Sequence, residues 1–140
     1  MANCYKAQEA SFKSGEYVMN KNKEGWLDLF ADDAVVQDPV GESPLDPTGL
    51  GQRGKKAISQ FWDMVIALGD LDFRIQSSHP AGDECANVVK LTNKMPGGIE
   101  INVHMVAVYT ANDEGKLTSL KAYWEYGKVQ EALEKAMASG

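Results

Sequence analysis

Apolar positions recur at helical spacing in the first half of the chain and alternate in the second. Residues 3–21 hold no proline, and Cys4, Ala7, Ser11, Ser14, Tyr17 and Val18 fall on one side at a helical period, which predicts a first helix. A short second helix is predicted over 24–30, with Trp26, Leu27, Leu29 and Phe30 inward and Asp32-Asp33 as a solvated stop. A strand fits 34–38, and the proline- and glycine-rich stretch 39–53 reads as a loop. The third helix, 54–68, is the clearest element: Ile58, Phe61, Trp62 and Val65 repeat at i, i+3, i+4 and i+7. Alternating segments follow at 71–77, 84–93, 99–110 and 116–126, with turns at 80–83, 95–98 and 112–115. Connections this short join antiparallel neighbours. Residues 128–138 suit a final helix. The expected fold class is α+β, a curved antiparallel sheet folded over helices, in one domain spanning 1–140.

Charge narrows the function classes. The chain has 14 Lys+Arg against 20 Asp+Glu, a net charge of −6, and no basic stripe of the kind that nucleic acid needs. No apolar run approaches the ~18 residues that span a membrane, and the first ten residues lack the apolar core of a signal peptide. Cys4 and Cys85 could form a disulfide, but two thiols in a domain with a full core read as those of a reduced, cytoplasmic protein. The two histidines offer no metal-ligand spacing: His79 precedes Pro80 in a predicted turn, and His104 alternates away from Ile101, Val103 and Met105, outward or into a subunit interface. No G-x-S-x-G, H-E-x-x-H or C-x-x-C is present, so no metal and no cofactor is expected.

Two features carry candidate chemistry. GLGQRG at 49–54 is a literal G-x-G-x-x-G, but it follows Pro44-Leu45-Asp46-Pro47-Thr48 rather than a strand, and the strands after it read as antiparallel. A dinucleotide loop needs a parallel β-α-β unit, so the glycines read as a surface loop entering the third helix, with Arg53 near a pocket mouth. Asp38 ends the strand of 34–38 on the face of Ala34 and Val36. If that face covers the helices, the carboxylate sits at the rim of the core with its pKa raised and can take a proton near neutral pH. The alternative is a turn-starting Asp-Pro. Trp124, alternating with Leu120 and Ala122, reads as core that would also wall a pocket beside Asp38.

The segments GWLDLFADDAVVQDPVG, RGKKAISQFWD and NDEGKLTSLKAYWE together resemble the ketosteroid isomerase (steroid delta-isomerase) branch of the NTF2-like, SnoaL-like superfamily, with matching element order over about residues 5–127. The resemblance implies a cystatin-like roll: a cone-shaped antiparallel sheet wrapped around three N-terminal helices, dimeric through the sheet's outer face. It implies that Asp38, in D-P-V-G, is a general base moving a proton between carbons near a ketone. The family supports the enolate with a tyrosine and a protonated acid. Aligned without gaps, Ser14 stands at the tyrosine position and Met105 at the acidic one. Tyr17, one turn on, is the candidate replacement, and Ser14 acting through water is the other. The implied pocket is lined by Trp26, Phe30, Phe61, Trp62, Met105 and Trp124 around a small apolar ring compound.

Three readings follow. In the first the chain is an isomerase using Asp38. In the second it is a binding protein on the same cone, motivated by the missing donors. The third is a cyclase or epoxide hydrolase with two aspartates bridged by an arginine. Arg53 and Arg74 are the only arginines, and Arg74 beside Asp72 reads as a surface salt bridge.

Overall fold

The computed structural model describes residues 1–139. Helix α1 (Asn3–Asn20) buries Ala7, Ala10, Ser11, Ser14 and Val18, and it stops at Lys21, which adopts a left-handed φ of 58° and donates its N–H back to Tyr17 and Val18. This is the usual way to close a helix C-terminus. Helix α2 (Lys23–Asp28) begins at Asn22, whose side chain accepts the N–H of Gly25 at 3.0 Å. Strands β1 (Phe30–Gln37) and β2 (Gln52–Arg53) flank the long loop, and helix α3 (Gly54–Met64) runs into a short 3-10 turn at Ile66–Leu68. Strands β3 (Asp70–Ala81), β4 (Glu84–Met95), β5 (Ile99–Ala111) and β6 (Leu117–Tyr123) follow, and helix α4 (Tyr126–Ser139) ends the described chain.

The six strands form one sheet in the order β2-β1-β6-β5-β4-β3. β3 to β6 are an antiparallel meander. β1 departs from the wholly antiparallel expectation: it pairs parallel with β6, Val36 facing Leu120. Their separation in sequence permits this, because a parallel neighbour needs a long connection and about eighty residues intervene. Asp32 and Asp33, expected as a helix stop, lie exposed within β1. His79 and Pro80, expected in a turn, lie in β3, where His79 Nε2 meets Ser77 Oγ at 3.0 Å.

β5 is the spine of the inner face. Ile101, Val103, Met105, Ala107, Tyr109 and Ala111 are all buried, while Asn102, His104 and Val106 alternate outward and exposed. Helix α1 lies across β3, β4 and β5. Its middle is tied to the sheet by a polar cluster in which Asn87 Nδ2 donates to Ser11 Oγ (2.9 Å) and Ser78 Oγ donates to Asn87 Oδ1 (2.6 Å). Each member is satisfied, as burial demands. Further along α1 the contact with the sheet opens, and a cavity remains. Cys4 and Cys85 are buried and unbridged.

Candidate active site

Asp38 follows the last residue of β1, with Ala34 and Val36 fully buried on the same face. The Asp38–Pro39 peptide is cis, and Val40 N–H then donates to the Ala122 carbonyl at 2.9 Å, so the chain leaves the sheet edge beside β6. Trp124, just past β6, donates its indole N–H to Asp38 Oδ1 at 2.5 Å. Burial pushes the Asp38 carboxyl above its ordinary value of 3.8, and the Trp124 bond opposes that rise only in part. Desolvation of the charged form is thus the dominant influence on this group.

Asp38 and Trp124 line a cavity of about 180 Å³ whose walls are mostly apolar. Val18 and Trp26 come from the helices, Phe73, Leu91, Val103, Met105 and Leu120 from the sheet. Val129 of α4 lies across one side, and Leu133 and Ala136 continue its apolar stripe onto the core. Asn93, also lining the cavity, has a buried side-chain oxygen with no hydrogen-bond partner among the described residues. Such a distribution, apolar walls with few polar atoms, suits a flat apolar ligand.

Ser14 of α1 and Tyr109 of β5 also line the cavity and are 3% and 2% exposed. Trp26 donates its indole N–H to Ser14 Oγ at 3.0 Å, and Ser14 is hydrogen-bonded in turn to the Tyr109 phenol. Burial raises the phenol well above its ordinary value of 10.0; the Ser14 bond works against that, and the charges of Asp38 and Cys85 add to it. The cavity therefore holds a basic carboxylate and, close by, a buried hydroxyl pair.

A profile of the SnoaL-like domain matches residues 16–120. The chain belongs to the SnoaL-like family. Among solved structures, it is similar to a Δ5-3-ketosteroid isomerase from Mycobacterium sp., at 35% identity over 87% of this chain and 95% of that one, with a TM-score of 0.81. A Mycobacterium tuberculosis protein in complex with estradiol-17β-hemisuccinate matches with the same identity, coverage and TM-score. A computationally designed binder of 17-OHP matches at 34% identity, over 87% of this chain and 93% of that one, TM-score 0.81. No curated protein matches the chain by sequence.

Within this SnoaL-like fold the six aromatic and methionine positions read as pocket from the sequence separate into two layers. Trp26, Met105 and Trp124 line the cavity. Phe30, Phe61 and Trp62 do not; they are buried behind it. Trp26 stands in front of them, edge-on to Phe30 at 4.8 Å and tilted against Trp62 at 5.3 Å. Tyr17 is the second correction: its ring lies in a separate outer groove with Lys13, Gly25 and Asp28, not with Asp38. Three residues along a helix leave a side chain about 60° short of a full turn, and that offset turns Tyr17 toward the outer groove while Ser14 faces the cavity. Tyr109 is the polar group that the sequence reading missed.

The glycine loop packs against β1. Gly51, at φ +90°, presses on β1 so closely that a Cβ there would sit 2.7 Å from Val35 and 3.0 Å from the Val36 carbonyl. β2 then pairs antiparallel with β1, Val36 facing Gln52. Arg53 is exposed and outside the cavity lining, and Arg74 pairs on the surface with Asp72 at 3.0 Å. Among the described residues no group of three or more His, Cys, Asp or Glu is placed to hold a metal ion, and no helix is long and apolar enough to cross a membrane.

Proposed function

We propose that the chain transfers a proton next to the carbonyl of a flat, apolar, ring-containing ketone, with Asp38 as the general base. The observation that carries this reading is a carboxylate in the wall of an apolar cavity, its proton affinity raised by burial and its orientation held by Trp124. Out of water a carboxylate becomes a stronger base, and removal of a proton beside a carbonyl needs one. The pair of electrons from the broken C–H bond moves to the carbonyl oxygen as an enolate. Protonated Asp38 returns the proton at a carbon further along the conjugated system, so the double bond shifts and no atom is gained or lost. The relatives named for ketosteroid isomerisation and for steroid ligands support a steroid-like substrate.

The test is steady-state conversion of a β,γ-unsaturated 3-ketosteroid to its conjugated isomer, followed by ultraviolet absorbance, for wild type and Asp38→Asn. Turnover in wild type and its loss in the variant is the expected result. Equal turnover in both removes Asp38 from the mechanism.

A second reading, a protein that binds the same class of compound without chemistry, is favoured by Met105 and Ala107. They occupy the wall opposite the helices and neither side chain can donate a hydrogen bond. Tight steroid binding without turnover supports it. A homodimer is proposed as well, because Val88, Val106 and Tyr123 stand side by side on the outer face of β4, β5 and β6 and are 37%, 40% and 47% exposed. A monomeric mass in solution at micromolar concentration rules that out.

A further inference from the structure

We propose that Asn93 determines which ligands the cavity accepts: its side-chain amide receives a hydroxyl group that the ligand carries at the end remote from Asp38. The proposal rests on the reading of the cavity as the site of a flat, apolar ring compound, and it gives that compound a second polar group opposite the ketone.

The inner face of β4 carries two asparagines, and their surroundings differ. Asn87 and Asn93 are six residues apart on one strand, so they share a face. Asn87 is fully buried and both ends of its amide are used, Nδ2 donating to Ser11 and Oδ1 accepting from Ser78. Asn93 faces apolar neighbours, Leu71 on β3 and Ile101 on β5. Its Oδ1 is buried and has no hydrogen-bond partner among the described residues. Buried acceptors are almost always paired, and this one belongs to a residue that borders the cavity, so a ligand is where its donor can come from. The oxygen rests against Gly69, where a Cβ would stand 2.7 Å from it; the missing side chain gives the amide its room. The last torsion of an asparagine is soft, so the amide can turn to meet a ligand while the strand stays in place.

Register sets where this group lies. Trp124, which holds Asp38, follows Tyr123, and Tyr123 faces Val106 on β5. Asn93 faces Ile101, five residues back along the same strand. At 3.3 Å per residue the two ends of the cavity are roughly 16 Å apart along the sheet. The wall between them is apolar, with Leu91, Val103 and Met105. A long, flat skeleton with one oxygen function at each end matches this pattern. A hydroxyl suits the Asn93 end because it can donate to Oδ1 and adds only one polar atom. A site that hydrogen-bonds a ligand hydroxyl also rejects the analogue without it more sharply than an apolar wall rejects a missing methylene.

The experiment compares dissociation constants and needs no turnover. The probes are 17β-estradiol and 17-deoxyestradiol, which differ by the one hydroxyl remote from the phenol; the phenol stands in for the ketone end. Binding is followed by quenching of tryptophan fluorescence, since Trp26 and Trp124 line the cavity. Wild type is expected to bind estradiol about 10- to 100-fold more tightly than the deoxy compound, the worth of a bond to an otherwise unpaired buried acceptor. In Asn93→Leu the ratio is expected to fall to about one or below, because the hydroxyl is then buried without a partner, while the deoxy compound binds at least as tightly as before. Equal affinity of wild type for the two probes overturns the proposal. So does a ratio that survives in Asn93→Leu, or a loss of affinity for both probes alike, which marks a merely structural role. Should Asn93→Leu not fold, Asn93→Ala decides by the same ratio. Discrimination between the probes by a wild type that shows no turnover keeps Asn93 and ends the reading of Asp38 as base. Turnover lost in Asp38→Asn, with equal affinity of wild type for the two probes, does the reverse. Binding of neither probe overturns the proposal and the steroid-like substrate together.

Discussion

Asp38 starts the long loop between β1 and β2 and Asp46 lies in its middle, and their carboxyl groups are shifted in opposite directions. Asp38 is raised by burial, with a single N–H from Trp124 working against it. Asp46 is lowered chiefly by the hydroxyl of Thr48; desolvation opposes this, and the backbone N–H groups of Gly51, Thr48 and Gly49 lower it further. The side-chain distances are short, 2.7 Å from Thr48 Oγ1 to Oδ1 and 2.7 Å from Gly51 N to Oδ2. The same residue type thus does two different jobs. Asp46 uses its lone pairs to fold the loop and has none to spare for a substrate proton. Asp38 keeps most of its lone pairs unused beside an apolar cavity, which makes it a base and a burden on stability. Hydrogen-bond supply, more than proximity to a pocket, separates a structural carboxylate from a reactive one.

The largest effect expected from breaking this contrast is on turnover. Asp38→Asn keeps an acceptor for Trp124 but cannot take a proton, and kcat should fall by roughly 10²- to 10⁴-fold, the usual contribution of a positioned base. The pH profile sharpens the point. The base works only when ionised, so kcat/KM should rise with pH through a value above 3.8. Trp124→Phe removes the hydrogen bond that favours the ionised form, and the rising limb should move to higher pH. A limb that stays in place, or moves down, means that another group controls it.

The difference between the two aspartates was half visible in the sequence. Strand alternation put Asp38 on the face of Ala34 and Val36, and the structure has both fully buried. Alternation on β6 likewise turned Trp124 inward. What the pattern could not show was depth. Helical period told that Phe30, Phe61 and Trp62 face inward, but not that Trp26 would stand between them and the cavity. Tyr109 was legible in principle: it lies two positions beyond Ala107 on the inward face of β5, and a buried phenol must find a partner. Its partner, Ser14, is ninety-five residues away, a distance that no local spacing reports. The parallel pairing of β1 with β6 was hidden for the same reason, since hairpin logic sees only neighbours in sequence. The literal phosphate-loop pattern follows a proline-rich run, and in the structure its Gln52–Arg53 pairs antiparallel with β1 rather than opening a parallel β-α-β unit.

Those glycines link the two carboxylates mechanically. Gly51 donates to Asp46 and at the same time presses on Val35, Gln37 and the Val36 carbonyl, the residues that lead into Asp38. Gly51→Ala would place a methyl 2.7 Å from Val35 and 2.8 Å from Gln37 at a φ of +90°. The strain alone is worth about 1–3 kcal/mol, and relieving it pushes the loop off β1. The expected outcome is a lower denaturation midpoint together with reduced turnover, since the end of β1 carries the base. A variant with wild-type stability would mean that the loop yields without moving the strand.

The smallest effects, and the cleanest separation of the two carboxylates, lie in stability against pH. Asp46 has a folded pKa below its unfolded one, so its contribution is present above the ordinary value of 3.8 and is lost as pH falls through the folded value. Asp46→Asn should therefore destabilise by about 1 kcal/mol near neutrality, one charge-assisted hydrogen bond being exchanged for a weaker one, and the gap should close in acid. Asp38 has the opposite sign. Its folded pKa is raised, so the fold is favoured below the unfolded value and loses stability as pH rises through the folded one. Asp38→Asn should match wild type in acid and exceed it near neutrality. Urea midpoints for the three proteins, measured from acid to neutral pH, give two difference curves that open toward higher pH with opposite signs. If Asp38→Asn is the less stable protein at neutral pH, the carboxylate is held by hydrogen bonds that favour its charge, and it is then too weak a base for the chemistry proposed.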